Sequence, residues 1–146
     1  MEDVELRPVD RDNLNKVVKL KVEDGDNKFV APNMYSIAEA YVEPDTKPTA
    51  IYFKGVPVGF ILYGQFAEDN GDYWVGRLMV DKDFRGIGIG KRGMELALED
   101  MRADGADSVY VSLVPDNDYA RELYLKLGFI DTKTQMEGED VFKFEF

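Results

Sequence analysis

Two periods run through the succession of apolar and polar residues in this chain. Alternation by two, or a short apolar run closed by turn residues, predicts strands at 4–9, 49–53, 58–63, 73–80, 108–114, 129–136 and 141–146. A period near 3.6 predicts helices between them. The first starts at Asp12 and sets Leu14, Val17 and Val18 on one side, with the stem of Lys21 beside them. The second is short: Ser36 reads as its N-cap, Glu39 stands at the capping-box spacing, and it ends before Pro44. The third, 91–103, aligns Met94, Ala97, Leu98 and Met101, with Gly105 just beyond its end. The fourth is capped by Asp116 or Asn117, aligns Ala120, Leu123, Tyr124 and Leu127, and stops at Gly128.

Turn chemistry supplies the punctuation. Gly25-Asp26-Asn27 breaks the first helix, 29–33 is an irregular connection, and 45–48 reads as a loop. Lys54-Gly55-Val56-Pro57 and Glu137-Gly138-Glu139-Asp140 are hairpin signals. The stretch 65–72 is an acidic loop or a continuation of the strand before it, and Gly76 inside the next strand signals a bulge. The order β-α-α-β-β-β-α-β-α-β-β, with no repeat or linker, is expected to form one domain over residues 1–146.

Composition narrows the chemistry. With 45% hydrophobic residues and 146 residues in all, the chain can build a proper core. It has no cysteine, hence no thiol nucleophile or disulfide framework, and no histidine, so acid–base work falls to carboxylates, tyrosine, lysine or water. A histidine-ligated metal site is excluded, and no metal is expected. The net charge of −11 argues against nucleic acid or an anionic membrane and agrees with a cationic substrate, though solubility alone explains it equally well. No apolar run is long enough to span a membrane and the acidic start carries no signal peptide, so a soluble cytoplasmic protein is expected.

Between the strand at 73–80 and the helix at 91–103 lies Arg85-Gly86-Ile87-Gly88-Ile89-Gly90-Lys91. Three alternating glycines let a ligand approach the backbone, the helix that follows aims free N–H groups into the loop, and Arg85 and Lys91 add positive charge. The physical reading is a pyrophosphate cradle. It is not a P-loop: Arg85 stands where the first glycine belongs, and Arg92 where Ser or Thr belongs. Gly88-x-Gly90-x-x-Gly93 has the letters of a dinucleotide fingerprint, but residues 81–85 separate it from its strand.

The remaining pattern, Arg-x-x-Gly-x-Gly between strand and helix, resembles the coenzyme A loop of the GNAT N-acetyltransferase superfamily, and the order of elements is similar to that family's over nearly the whole chain. Ser36-Ile37-Ala38-Glu39-Ala40 and Pro57-Val58-Gly59-Phe60 look most like the bacterial spermine/spermidine N-acetyltransferases. The resemblance implies an α/β (α+β) fold: a mixed, mostly antiparallel sheet with helices on both faces and a splayed central strand pair. In that gap the pantetheine arm of acetyl-CoA, the cosubstrate, would lie. It also implies that the N–H groups of Gly86, Ile87, Gly88, Ile89, Gly90 and Lys91 hold the pyrophosphate beside Arg85, and that the backbone of Leu78, Met79 and Val80 pairs with the pantetheine amides. Asn117 would contact the same arm, unless it is only a helix cap.

Asn117-x-x-Ala120-x-x-x-Tyr124-x-x-x-Gly128-Phe129 resembles the family's second motif, which implies that Tyr124 protonates the leaving thiolate; otherwise Tyr124 is a core residue. The implied reaction is direct attack of an amine on the thioester. An alkylammonium is protonated at pH 7, and making it neutral costs about 4–5 kcal/mol, so a base is needed. Many relatives carry an acid on the strand before the loop; here it reads Trp74-Val75-Gly76-Arg77, which leaves the base unassigned among Glu39, Glu68, Asp69 and Asp72. The acidity at Glu39, Glu43 and 68–72 points to a polyamine acceptor such as spermidine or spermine, with Glu39 and Glu68 as substrate-binding residues. The alternatives are a protein N-terminus or lysine as acceptor, or a non-catalytic acyl-CoA sensor. Phe142, Phe144 and Phe146 alternate in a C-terminal strand expected near an edge, which suggests a homodimer.

Overall fold

The computed structural model describes residues 2–22 and 32–146. Its sheet has the spatial order β1 (Val4–Pro8), β2 (Thr46–Phe53), β3 (Val56–Phe66), β4 (Asp72–Val80), β5 (Ser108–Leu113), β7 (Glu139–Glu145) and β6 (Ile130–Met136). Neighbours are antiparallel except β4 and β5, which run parallel. Helices α1 (Leu14–Val18) and α2 (Asn33–Val42) cover one face; α3 (Ile89–Ala103) and α4 (Asp118–Leu127) cover the other. This is the mixed, mostly antiparallel sheet with helices on both sides that the sequence implies.

The apolar stripes decide the layering. Met94, Ala97, Leu98 and Met101 of α3 and Tyr124 of α4 are buried against Ile51, Val58, Ile61 and Val75 of the sheet. On the other face Val17 of α1 packs with Ala50, Phe60, Leu62, Phe66 and Met79. Fully burying a residue such as Met94 or Phe60 contributes roughly 1.5–3 kcal/mol, so these faces hold the helices on the sheet.

A bulge at Gly76 sets the phase of β4. Leu62 pairs with Arg77 and Tyr63 with Val75, so Gly76 is the extra residue, as its place in the strand predicts. Val75 faces the α3–α4 side, and beyond the bulge Arg77 bonds Asn33 of α2 while Met79 joins the opposite cluster. A Cβ on Gly76 would lie 2.9 Å from Phe66 Cζ and 3.5 Å from Leu62 Cδ2. Gly76→Ala is therefore expected to lose about 1–3 kcal/mol of stability through overpacking, read as a lower urea midpoint at unchanged slope. A midpoint equal to the wild type's would mean that the ring of Phe66 yields freely.

Several boundaries differ from the sequence reading. The first helix begins at Leu14, not Asp12, because residues 10–13 form a closed turn: Asp10 Oδ1 accepts the N–H groups of Asp12 (2.9 Å) and Asn13 (3.1 Å), and Asn13 Oδ1 accepts that of Asp10 (2.8 Å). The break at Gly25-Asp26-Asn27 and the connection through residue 31 lie outside the described residues. Ser36 is not an N-cap: α2 starts at Asn33 behind Pro32, whose carbonyl accepts the Tyr35 N–H, and Ser36 is buried in the first turn. The loop read at 45–48 is the start of β2, with Pro48 paired to Leu62; its missing N–H is tolerated where β1 stops pairing. Gln65 and Phe66 continue β3, and a short 3₁₀ turn, Ala67–Asp69, leads to β4. Helix α3 begins at Ile89, two residues before the expected start.

The C-terminal strand is not an edge. β7 lies between β5 and β6, Phe142 is buried in the core, and Phe144 packs on Phe129 with ring centroids 5.4 Å apart. Alternation there serves the protein's own core, because the hairpin partner β6 folds outside it.

Candidate active site

Strands β4 and β5 pair at only two positions. Trp74 pairs with Tyr110 and Val75 with Val111, and the Trp74 and Tyr110 rings stack at 5.2 Å. Past this point the strands diverge, and a cavity of about 430 Å³ opens between them. Because the two strands are parallel, the connections that leave their C-terminal ends lead to the N-termini of α3 and α4 beside the same gap. Two helix N-termini then flank one cleft, an arrangement that favours an anion.

The cavity gathers most of the expected residues. Leu78, Met79, Val80, Arg85, Gly90, Asn117, Tyr124 and Glu39 line it. Gly86, Ile87, Gly88 and Lys91 belong to the adjoining loop, and Ile89 turns its side chain into the core. Gly88, with φ +92°, is the N-cap of α3; the Arg92 N–H donates to its carbonyl (3.0 Å), which leaves the N–H groups of Ile89, Gly90 and Lys91 ahead of the helical ladder. A Cβ built on Gly86 or Gly88 would meet nothing within 4 Å, so the space beside the loop is open. Open backbone, free N–H groups and a flanking guanidinium fit a pyrophosphate. Arg85 also lies over the ring of Tyr119 at 4.2 Å, which ties the loop to the start of α4.

Asn117 fills both of its candidate places: its Oδ1 accepts the Ala120 N–H (3.2 Å) as the cap of α4, and the residue lines the cavity. With the oxygen committed, its NH₂ group is what remains for a ligand. Tyr124 sits two helical turns on, 8% exposed, its ring 5.5 Å from that of Phe129. Burial, and then the charge of Glu139, pushes its hydroxyl up to about 12. The phenol stays protonated at neutral pH and is a weaker acid than its ordinary value near 10 suggests.

Carboxylates reach the same space from separate elements. Glu39 of α2 lines the cavity, and burial followed by the charges of Glu43, Glu68 and Asp69 raises it above the usual carboxylate range. Asp69 is raised too, by burial and by Glu43, Asp72 and Glu137. Glu43 has a structural task, since its carboxylate accepts the N–H groups of Ala67 (2.8 Å) and Glu68 (3.3 Å). Glu68 is exposed and outside the lining, in the 3₁₀ turn whose N–H groups Glu43 accepts, and its charge still reaches Glu39.

Three charged lining residues are not among those the sequence predicts. Glu137 and Glu139 arrive on the β6–β7 turn, where Glu139 accepts from Ser112 Oγ (3.1 Å). The positive φ of Glu137 and Gly138, 51° and 83°, makes the tight turn that brings them in. Arg77 is the third: its Nε donates to Asn33 Oδ1 (2.7 Å), and it is 8% exposed. The bulge at Gly76 was the available signal, since it moves Arg77 to the α2 side.

Known proteins share this architecture. The model of the acetyltransferase (GNAT) family matches residues 14–129. The chain is 27% identical over 145 residues to a probable spermine N(1)-acetyltransferase of Bacillus subtilis subsp. natto, covering 94% of this chain and 95% of that one. It is 26% identical, with the same coverage, to the spermine/spermidine N(1)-acetyltransferase of Bacillus subtilis strain 168. Among solved structures, the PaiA N-acetyltransferase of Thermoplasma acidophilum, in complex with coenzyme A, superposes with a TM-score of 0.75 at 15% identity, over 98% of this chain and 99% of that one. With its split parallel strand pair, its glycine loop ahead of α3 and a family match over most of its length, the chain belongs to the GNAT acetyltransferase family.

Proposed function

We propose that the protein transfers an acetyl group from acetyl-CoA to a primary amine, with a polyamine such as spermidine or spermine as acceptor. The observation that carries this reading is the convergence of Tyr124 and the carboxylates of Glu39, Glu137 and Glu139 on one cavity between the split strands. When bound, acetyl-CoA supplies the activated thioester. The loop from Gly86 to Lys91 offers backbone N–H groups to its pyrophosphate, and the freed backbone of Leu78, Met79 and Val80 offers a strand edge to the amides of its arm. Tyr124 presents its hydroxyl to the departing sulfur. A phenol near 12 stabilises a thiolate by a hydrogen bond more than by full transfer, and water completes the protonation. Glu39 is the base: its raised titration brings it closer to the acceptor's, and it takes the proton directly or through water.

The acidic rim accounts for the acceptor class. Glu39, Asp69 and Glu137 come from α2, the β3–β4 connection and the β6–β7 turn, so a polycation would meet carboxylates on several sides. Each exposed contact contributes about 0–1 kcal/mol, so several act together. Free thiol released from acetyl-CoA with a panel of amines tests the reaction, and a chain without cysteine gives that assay a low background. Spermidine is expected to react better than a monoamine of similar length. Its KM is expected to rise several-fold between low and high salt, because a Debye length of about 10 Å at 0.1 M screens the rim, while the monoamine's moves less. Equal performance and equal salt response would make the acidity a solubility trait. Binding of coenzyme A with no turnover on any amine would mark a sensor.

A further inference from the structure

Two arginines are among the described residues that line the cavity. Arg85 stands at the loop beside Tyr119; Arg77 leaves the strand just past the Gly76 bulge, on the α2 side. The Arg77 side chain is held by the fold rather than by a counter-ion. Its Nε donates to Asn33 Oδ1 (2.7 Å), and Asn33 is itself fixed by a bond from Nδ2 to the Val17 carbonyl (2.9 Å). Nη1 is buried with no hydrogen-bond partner. No carboxylate among the described residues forms an ion pair with Arg77. Burying a guanidinium without compensation is costly.

The other described ionisable groups around the cavity form no ion pair with Arg77. Helix α2 contributes Tyr35 and Glu39, the β6–β7 turn Glu137 and Glu139, and α4 Tyr119 and Tyr124. What moves Glu39 is burial and the neighbouring carboxylates, what moves Tyr124 is burial and Glu139, and what moves Arg77 is burial alone. Burial brings Arg77 down to about 10, so it keeps its charge at pH 7. The cavity is thus polarised, with a negative rim and a positive patch in the β4 wall.

We propose that Arg77 keeps the attacking nitrogen of the acceptor uncharged, by holding a positive charge in the wall where a protonated amine would otherwise settle, while the acidic rim retains the acceptor's second, still protonated nitrogen. The inference rests on the amine-acetyltransferase reading. The ammonium gives its proton to cavity water or Glu39, and no other bond changes in that step. Arg77 is then a positioning residue that makes up for the absence of a carboxylate on this strand.

The test is the pH profile of kcat at saturating spermidine, which reports the bound acceptor's titration, with a weakly basic amine, already neutral at pH 7, as the second acceptor. Two unit charges sharing one cavity at an effective dielectric near 20 shift each other's titration by about one unit. In the wild type kcat is expected to rise with pH along the limb set by the bound acceptor's titration and then level off. Arg77→Met should move that limb back up, a loss of about tenfold at pH 7 that closes at high pH, with the weakly basic acceptor unaffected. Arg77→Lys should track the wild type. Asn33→Ala, which cuts the tie but leaves the charge, should not move the limb. A loss in Arg77→Met that is equal at every pH and for both acceptors would overturn the inference and make Arg77 a strut between β4 and α2. A loss confined to amines that also bear a carboxylate would overturn it in favour of an anion subsite. No transfer by the wild type to any amine would overturn the proposed function, and this inference with it.

Discussion

Tyr124→Phe is expected to lower turnover about 100-fold or more while leaving the affinity for acetyl-CoA nearly unchanged, the range for loss of a group that assists a departing thiolate. The ring is buried against Phe129, so phenylalanine fills the same volume and α4 keeps its place. What disappears is the hydroxyl that faces the cavity. Because burial and Glu139 hold the phenol near 12, it is protonated throughout the working range, and the deficit should be the same at pH 6 and pH 9. Calorimetry for binding and thiol release for rate separate the outcomes. A parallel loss of both would assign Tyr124 to packing, and wild-type turnover would remove it from the chemistry.

The second large effect is expected at the loop. Gly90→Leu should weaken acetyl-CoA binding about 100-fold, since it obstructs donors to a pyrophosphate that contribute about 1.5–3 kcal/mol each. Gly90 is the clean position for this test. It lies in the first turn of α3, where any residue fits the backbone, and a Cβ there would meet only Val80 Cγ2 at 3.5 Å. Gly88 is less suitable: its φ of +92° would be strained by any side chain, which mixes a folding cost into the binding result. An unchanged affinity in a folded Gly90→Leu protein would take the loop out of the site.

The sequence made much of this molecule readable, and the limits are physical. The stripes of α3 and α4 were legible because an amphipathic helix repeats its apolar face over several turns. The glycine loop was legible because the spacing Arg85, Gly88, Gly90 is local. The bulge was legible from one glycine in a β-rich run. What the bulge does to its neighbours was not. Strict alternation would put Arg77 on the same face as Val75, and the extra residue sends it to the opposite side, where Asn33 holds it. Glu137 and Glu139 were read as hairpin residues only, because their approach to Tyr124 depends on where β7 lies in the sheet. Ser36 and Glu39 matched a capping box in letters, but Pro32 already fixed the start of α2 one turn earlier, and Ser36 went inside. Both residues line the cavity.

A sheet has two edges, but the split between β4 and β5 gives this one four. The outer two are blunted against self-association: β1 is five residues long and ends at Pro8, and β6 carries Asp131 and Lys133 at a break in its register. The inner two lack such guards, for Leu78 and Val80 on one rim and Leu113 on the other are apolar. Their protection is geometric: the rims confront each other across a wedge that closes at Trp74 and Tyr110, so a foreign strand finds no straight flank to join. The protein keeps its most adhesive backbone turned toward itself, and an extended ligand bonded to both rims would remove two edges at once.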